Sequence, residues 1–346
     1  MTSRTTQIGH VSDEQFEALV HHLGHSVPIE QSPAWDKYDS IVEGRDFWRR
    51  LAYSVDGEPQ AVIALTEYTG RGFRFLWAKH GPIWVGPQTA ESEAGLRRAL
   101  RAYIASEAPH VAFARIHAKF PAPELHELLQ SVTYDRTVAI DLTRDADDIF
   151  AGFSKRRRSG IRKALRDEGF ELSDESGVNR DAFNELYEIY EETAERDGFG
   201  IYQADTYFSM LEGLGSHARV FVARRSDSGT AEEPRKPGRA VAWVIVTTYE
   251  GVAVSYYAGA SAEARSNNAV MLLRWHLIQK LKEEGVTSYD LMGVDSERAP
   301  TLKGVGDFKR QFGEESAVDG AWDLPVKRAR YRVLTILLRI KRALRR

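Results

Sequence analysis

The sequence predicts an α+β protein of two domains, and three observations point there. Its 346 residues are about twice a usual domain length. Helices, antiparallel strand pairs and a strand–helix–strand unit follow one another, an order typical of α+β folds. That order runs once in each half. The chain is 42% hydrophobic and 28% charged, enough apolar material for a sizeable core, so wholesale disorder is excluded.

The first half opens with a helix over 12–24, where Ser12 is placed to cap and Phe16, Leu19 and Val20 fall at helical spacing. Pro28 and Pro33 bracket a loop. Leu51–Val55 and Gln60–Glu67 alternate as strands, and Asp56-Gly57 between them signals a hairpin. Phe73–Ala78 is a further strand, and Gly81-Pro82 and Gly86-Pro87 break the chain after it. Ser92–Ser106 is a helix, Val111–His117 a strand, Glu124–Leu129 a brief helix and Thr137–Asp141 a strand.

The second half has a basic helix over 154–168, a strand near Phe170–Leu172, a long helix over 180–196 and a short one over 204–213. Strand Arg219–Arg224 precedes a polar stretch, Ser226–Gly238, expected as an exposed hairpin loop. Strands Ala240–Thr248 and Val252–Ala258 lead into helix Asn268–Glu284, closed by Gly285. Ser288–Met292 is the next strand, and Trp322–Leu324 extends a sheet before the tail.

Composition excludes some chemistry. The chain has no Cys, so disulfides, thiolate metal sites and a Cys nucleophile are ruled out. The His residues are scattered, so no metal or organic cofactor is implied. The net charge of −3 hides an asymmetry. Lys327–Arg346 carry nine Lys/Arg and no acid, leaving 38 basic against 50 acidic groups before them, a net −12. A second basic cluster is Lys155, Arg156, Arg157 and Arg158, followed by Arg162, Lys163 and Arg166. An acidic body with two basic patches points to anionic partners met at defined places. No apolar run approaches the ~20 residues that span a bilayer, and the N-terminus lacks a signal-peptide core. The expected location is cytoplasmic.

In an acyl-CoA N-acetyltransferase, the loop between strand and helix is Gly-rich, and its N–H groups cradle the pyrophosphate. Here that place holds Ala264-Arg265-Ser266-Asn267-Asn268-Ala269. Their Cβ atoms would hinder the close backbone approach that glycine permits. An acyl-CoA donor is therefore disfavoured.

The wider string is Tyr256-Tyr257-Ala258-Gly259-Ala260-Ser261, Leu272–Ile278, Tyr289-Asp290-Leu291-Met292-Gly293, Leu302–Gly306 and Phe308-Lys309-Arg310-Gln311-Phe312-Gly313. Upstream stand Gln31-Ser32-Pro33-Ala34-Trp35, Gly81-Pro82-Ile83-Trp84, Arg115-Ile116, Phe153-Ser154-Lys155, Thr193 with Arg196-Asp197-Gly198-Phe199, and Tyr207-Phe208. In this order the segments, covering roughly residues 30–345, resemble the Fem family of non-ribosomal peptidyltransferases. Those enzymes move an aminoacyl group from tRNA onto the stem peptide of a peptidoglycan precursor. The resemblance implies two acetyltransferase-like (GNAT-like) domains in tandem, the second inserted in the first: 1–145 with 317–346 on the precursor side, and 146–316 on the aminoacyl-tRNA side. It leaves no room for the long helical hairpin arm of some members. The implied partners are aminoacyl-tRNA and a lipid-linked or UDP-linked muropeptide.

The resemblance also implies roles. Lys309 matches the family's Phe-Lys dipeptide with Phe308, and its ammonium would stabilise a tetrahedral oxyanion or contact the 3′ end of the tRNA. Tyr207, Tyr256 and Tyr257 are substrate-side candidates; on a regular strand the last two face opposite ways, one to the core and one to a cleft. Lys37 is a candidate for the precursor's pyrophosphate, although the family places its lysine two residues later, at Asp39 here. After Arg115-Ile116 the family commonly has Asp-Pro; His117 stands there instead, as a substitute base or a structural histidine. Arg265 or Arg274 would replace a missing phosphate-binding arginine. Lys155, Arg156, Arg157, Arg158 and Arg162 would meet tRNA phosphates or simply form a solvated face. In the tail, Val333, Leu337, Ile340 and Leu344 share one helical face, with Leu334, Ile336 and Leu338 beside it and Arg/Lys around the rest. This basic amphipathic helix packs on its own body, lies on an anionic membrane at the inner face of the cell, or binds tRNA. An N-acyltransferase with another amine acceptor and a non-catalytic tRNA- or membrane-associated adaptor stand as alternatives to the aminoacyltransferase.

Overall fold

The structure is a computed structural model that describes residues 5–344 apart from 22, 25, 71, 130–132, 167–168 and 227–237. The chain divides into two compact units. Unit 1 is Met1–Asp135, Glu297–Ala299 and Ala317–Arg346; unit 2 is Arg136–Ser296 and Pro300–Ser316.

Unit 1 begins with β1 (Thr6–His10), α1 (Asp13–Val20) and α2 (Pro33–Ile41). Ser12 caps α1 in a reciprocal box with Gln15, and Ser32 caps α2, whose first position is Pro33. Helix α2 thus begins at the end of the loop that Pro28 and Pro33 bracket, in chain where no element was expected. Then come β2 (Arg45–Val55), β3 (Glu58–Gly70), β4 (Phe73–Trp77), β5 (Ile83–Trp84), α3 (Ala90–Glu107) and β6 (Val111–Ala118). The hairpin at Asp56-Gly57 has positive φ at both residues, as a two-residue turn requires.

Unit 2 runs through β7 (Arg136–Asp141), α4 (Ala146–Gly152), α5 (Lys155–Ala164), β8 (Phe170–Asp174), α6 (Arg180–Asp197), α7 (Ala204–Leu214), β9 (Ala218–Arg225), β10 (Ala240–Tyr249) and β11 (Val252–Ala260). It continues with α8 (Ala262–Ser266), α9 (Ala269–Glu283), β12 (Ser288–Gly293), α10 (Lys303–Lys309) and β13 (Glu315–Ala317). The chain then returns to unit 1 as β14 (Gly320–Pro325) and α11 (Arg328–Ala343). The loop expected at Ser226–Gly238 lies mostly outside the described residues, as do Arg345 and Arg346 of the tail.

Among the described residues each unit carries one seven-stranded sheet. In unit 1 the order is β1-β2-β3-β4-β6-β14, with β5 on β3; in unit 2 it is β13-β7-β12-β11-β10-β9-β8. In unit 1 the strands pair antiparallel except β4 with β6, and in unit 2 the pairs from β7 to β8 are antiparallel except β11 with β12. At each parallel seam a helix crosses between the strands, α3 in one unit and α9 in the other. Helix α9 is buried along Met271, Leu273, Leu277, Ile278 and Leu281 against the strands of unit 2. A lone pair of strands is marginal in water, so this packing is what holds the seam together.

Two expectations fail for long-range reasons. Glu124–Leu129 is not a helix. His126 exchanges backbone hydrogen bonds with Asp323 of β14, and Leu129 N–H donates to the Asp323 carboxylate at 3.1 Å. The segment's donors are satisfied by the sheet edge instead of by a helical turn. Tyr256 and Tyr257 do not face opposite ways. Tyr257 pairs with Ile245 but Ser255 pairs with Val246, so Tyr256 is the extra residue of a β-bulge. Their ring centroids are 6.1 Å apart, too close for opposite faces of a sheet.

Candidate functional site

In unit 2 the seam opens into a candidate site. Strands β11 and β12 pair only from Val252–Val254 to Ser288–Asp290, and both continue past that point. Three groups meet there. From α9, the buried Arg274 donates to Ser255 Oγ at 3.1 Å and to the hydroxyl of the fully buried Tyr289. From the end of α10, Lys309 Nζ donates to the Gly293 carbonyl at 2.8 Å. From β12, Asp290 accepts from Met292 N–H at 2.6 Å and from the Thr137 hydroxyl. Met292 takes a positive φ of 63°, which turns the strand end over the Asp290 carboxylate.

The charges explain the chemistry available. Burial pushes the Lys309 ammonium down to about 8, and the nearby Arg274 guanidinium pushes the same way, while Asp290 opposes them. An ammonium of that acidity is still mostly charged at neutral pH. It has three N–H donors, one of which goes to Gly293. It can therefore stabilise an oxyanion that develops beside it.

An aromatic wall joins α6, α7, β10 and β11 in the same unit. Tyr207 packs edge-on against Tyr257 at 4.8 Å and Tyr190 at 5.1 Å, and Tyr190 reaches Trp243 at 5.5 Å. Tyr207 is buried, and its hydroxyl accepts from Tyr202 N–H at 2.8 Å. Burial raises the phenol pKa of Tyr207 and Tyr190, so both stay neutral.

Unit 1 has a polar interior at its own seam. Lys79 follows β4, with Nζ 4.7 Å from the Trp35 ring centroid and 5.1 Å from that of Trp77. Burial, then Arg45, pushes its ammonium down to about 8 against the pull of Asp39 and Glu30. Asp39 is buried; one oxygen binds Arg45 at 3.3 Å, and Oδ2 has no hydrogen-bond partner.

The comparisons match this architecture. An acetyltransferase (GNAT) domain model matches residues 151–310. Among solved structures, that of FemX aligns with TM-score 0.69 at 16% identity, over 95% of this chain and 100% of the other. A tandem GNAT protein from the clavulanic acid biosynthesis pathway aligns at 0.56 and 10% identity, over 93% and 99%. A conserved protein of unknown function from Bacteroides thetaiotaomicron aligns at 0.52 and 10%, over 93% and 100%.

The fold is two GNAT-like domains in tandem. No curated protein matches the chain. At these identities the likeness speaks for the fold. The described residues hold no long helical arm, no helix long and apolar enough to cross a membrane, and no cluster of metal-ligating side chains.

The GNAT-like framework distributes the sequence candidates unevenly. Lys309 lies at the seam of the inserted domain with Arg274. Phe308 is half-buried beside Phe312 at 5.3 Å. Arg265 is exposed on α8, the short helix that stands where an acetyltransferase has its glycine loop. In the basic helix α5, Lys155, Arg156 and Arg162 are exposed. Arg157 and Arg158 turn inward. Arg157 lies 4.7 Å over the Phe308 ring, donates to Met271 Sδ at 2.9 Å, and is pushed down to about 10 by burial. Arg158 donates to the Ala151 carbonyl at 2.7 Å and to that of Phe153. These contacts tie α5 to the body of unit 2.

In unit 1, Lys37 is exposed on α2, and Lys79 is the lysine drawn into the interior. Sequence reading missed Lys79. The signal was its place directly after a strand that pairs in parallel, between Trp77 and His80. His117 donates Nδ1–H to the Asp319 carbonyl at 2.8 Å and stacks on His80 at 4.8 Å. Burial and His80 push it down to about 3. Its ring is therefore neutral and a weakened base. In α11 the residues that pack on the body are Tyr331, Leu334 and Leu338, while Leu337 is exposed.

Proposed function

We propose that this chain transfers an aminoacyl group from aminoacyl-tRNA to an amine of a peptidoglycan precursor, in the manner of the Fem family. The observation that carries this reading is Lys309: a half-buried ammonium pushed down to about 8, beside Arg274, at the open seam of a GNAT-like domain. In aminolysis the amine forms a C–N bond to the ester carbonyl carbon, and negative charge collects on the carbonyl oxygen. The C–O bond to the tRNA ribose then breaks; the ribose oxygen gains a proton and the amine loses one. Lys309 stabilises the charged oxygen. Full-length likeness to FemX supports the same reading, and α8 in place of a glycine loop argues against acyl-CoA as donor.

On this reading the inserted domain takes the aminoacyl end, with Lys155, Arg156 and Arg162 available to tRNA phosphates. Unit 1 takes the lipid-linked or UDP-linked muropeptide, and Lys79 meets its negative charge. The reaction belongs to the cytoplasmic side of the cell membrane. Catalysis rests mainly on positioning.

The test is direct. Purified protein is given charged tRNAs one at a time with lipid-linked or UDP-linked precursor, and products are read by mass. A mass gain of one aminoacyl residue on the precursor is expected. Acetyl-CoA turnover on an amine, with no transfer from any charged tRNA, would overturn the reading.

A further inference from the structure

Helix α11 has two apolar sides, and only one is covered. Tyr331, Leu334 and Leu338 pack on Phe73, Phe75, Phe113 and Leu129 of unit 1. Val333, Ile336, Leu337 and Ile340 are each 51–57% exposed, and Leu344 is 82% exposed. At about 100° of turn per residue, these five fall within an arc of about 100° that points away from the packed side.

The flanks of that arc are basic on both sides. Arg330 and Lys341 border one edge; Arg328, Arg332 and Arg339 border the other, and all five are exposed. No acidic residue occurs from 327 to 346. Arg330 also donates to the His110 carbonyl at 2.8 Å, which ties that edge of the helix to the body.

From this layout we infer that α11 is an interfacial helix that docks unit 1 on an anionic lipid surface. An apolar crest between two rows of cations suits a lipid interface. The crest enters the acyl boundary while the cations stay level with the lipid phosphates. A nucleic acid would meet the cations but leave the crest unused. A second copy of this chain would have to cover five apolar side chains and still match a purely basic border. The inference is independent of the reaction proposed above.

The experiment is vesicle flotation of the full chain with phosphatidylcholine vesicles and with mixed phosphatidylcholine–phosphatidylglycerol vesicles. Binding to the mixed vesicles alone is expected. Arg332→Glu, Arg339→Glu and Lys341→Glu should each weaken it by about fivefold or more at low salt. The double variant Leu337→Asp/Ile340→Asp should lose it while keeping the wild-type melting temperature, since both side chains are exposed. Three results would overturn the inference: equal binding to neutral and anionic vesicles, or none to either; a melting temperature lowered by the double variant, which would mean the crest is packed; and a concentration-dependent dimer in light scattering that the double variant abolishes. A tRNA-binding loss from the charge variants without any vesicle effect would also overturn it.

Discussion

Asp323 accepts a hydrogen bond from Arg115 Nε at 2.7 Å across 208 positions of sequence, with both side chains buried. The same carboxylate takes Leu129 N–H at 3.1 Å and the Tyr331 hydroxyl at 3.2 Å. One acid thus joins β6, the segment before unit 2, β14 and α11. It ties the chain's return to unit 1 at the register in which Asp323 pairs with Arg115.

Removing that acid should therefore be costly. Asp323→Ala leaves the Arg115 charge buried without its partner, and a loss of about 3–5 kcal/mol is expected. Urea unfolding monitored by circular dichroism measures it. The double variant Arg115→Met/Asp323→Leu should recover part of the loss, because it leaves no orphaned charge, while Leu129 N–H and the Tyr331 hydroxyl still lose their acceptor. A double variant as unstable as Asp323→Ala alone would contradict this account.

Lys309→Met keeps the length of the side chain and removes its charge. Turnover from aminoacyl-tRNA should fall by about 10²-fold, the scale of losing one oxyanion donor. Substrate saturation should separate this from a binding defect, and the melting temperature should barely move. Wild-type turnover in the variant would make Lys309 an ordinary half-buried lysine.

The Lys309 ammonium titrates near pH 8 rather than at the ordinary 10.5. If the charged form stabilises the oxyanion, turnover should fall as pH rises through about 8. Lys309→Arg should keep part of the rate and lose that limb. Stability should move the other way. Between about 8 and 10.5 the unfolded chain holds more protons on this lysine than the folded chain does, so its contribution to stability rises with pH across that window. Comparison of wild type and Lys309→Met in unfolding titrations at several pH values isolates it.

Gly259→Ala tests the packing beneath the aromatic wall. An added Cβ would lie 2.6 Å from Trp243 Nε1 and 3.3 Å from Ile189 Cγ2. Trp243 is buried and its Nε1–H already donates to the Leu186 carbonyl at 2.6 Å, so it cannot retreat. A loss of roughly 1–3 kcal/mol is expected from overpacking, read as a lower urea midpoint with unchanged slope.

Much of this molecule was legible in its residues. Period-two alternation marked β2 and β3. Ser12, Ser154 and Gly285 sit at helix ends as local chemistry requires, and the strand–helix–strand unit with its Phe308-Lys309 dipeptide led to the tandem GNAT-like fold. Such features depend on neighbours within a few positions. Other features depend on partners far away, and only the tertiary structure decided them. The β1 strand exists because β2 offers it an edge. Residues 124–129 gave up a helix because Asp323 holds them. A bulge against Ile245 and Val246 brought Tyr256 and Tyr257 together. Arg157 and Arg158 read as surface charge, yet their planar heads found rings and carbonyls within reach. The tail's amphipathic pattern announced a helix, while the side that packs was set by Phe73, Phe113 and Leu129. Burial and register are properties of pairs distant in sequence, so the charge state of Lys309 and the exposed crest of α11 could be fixed only once those pairs had met.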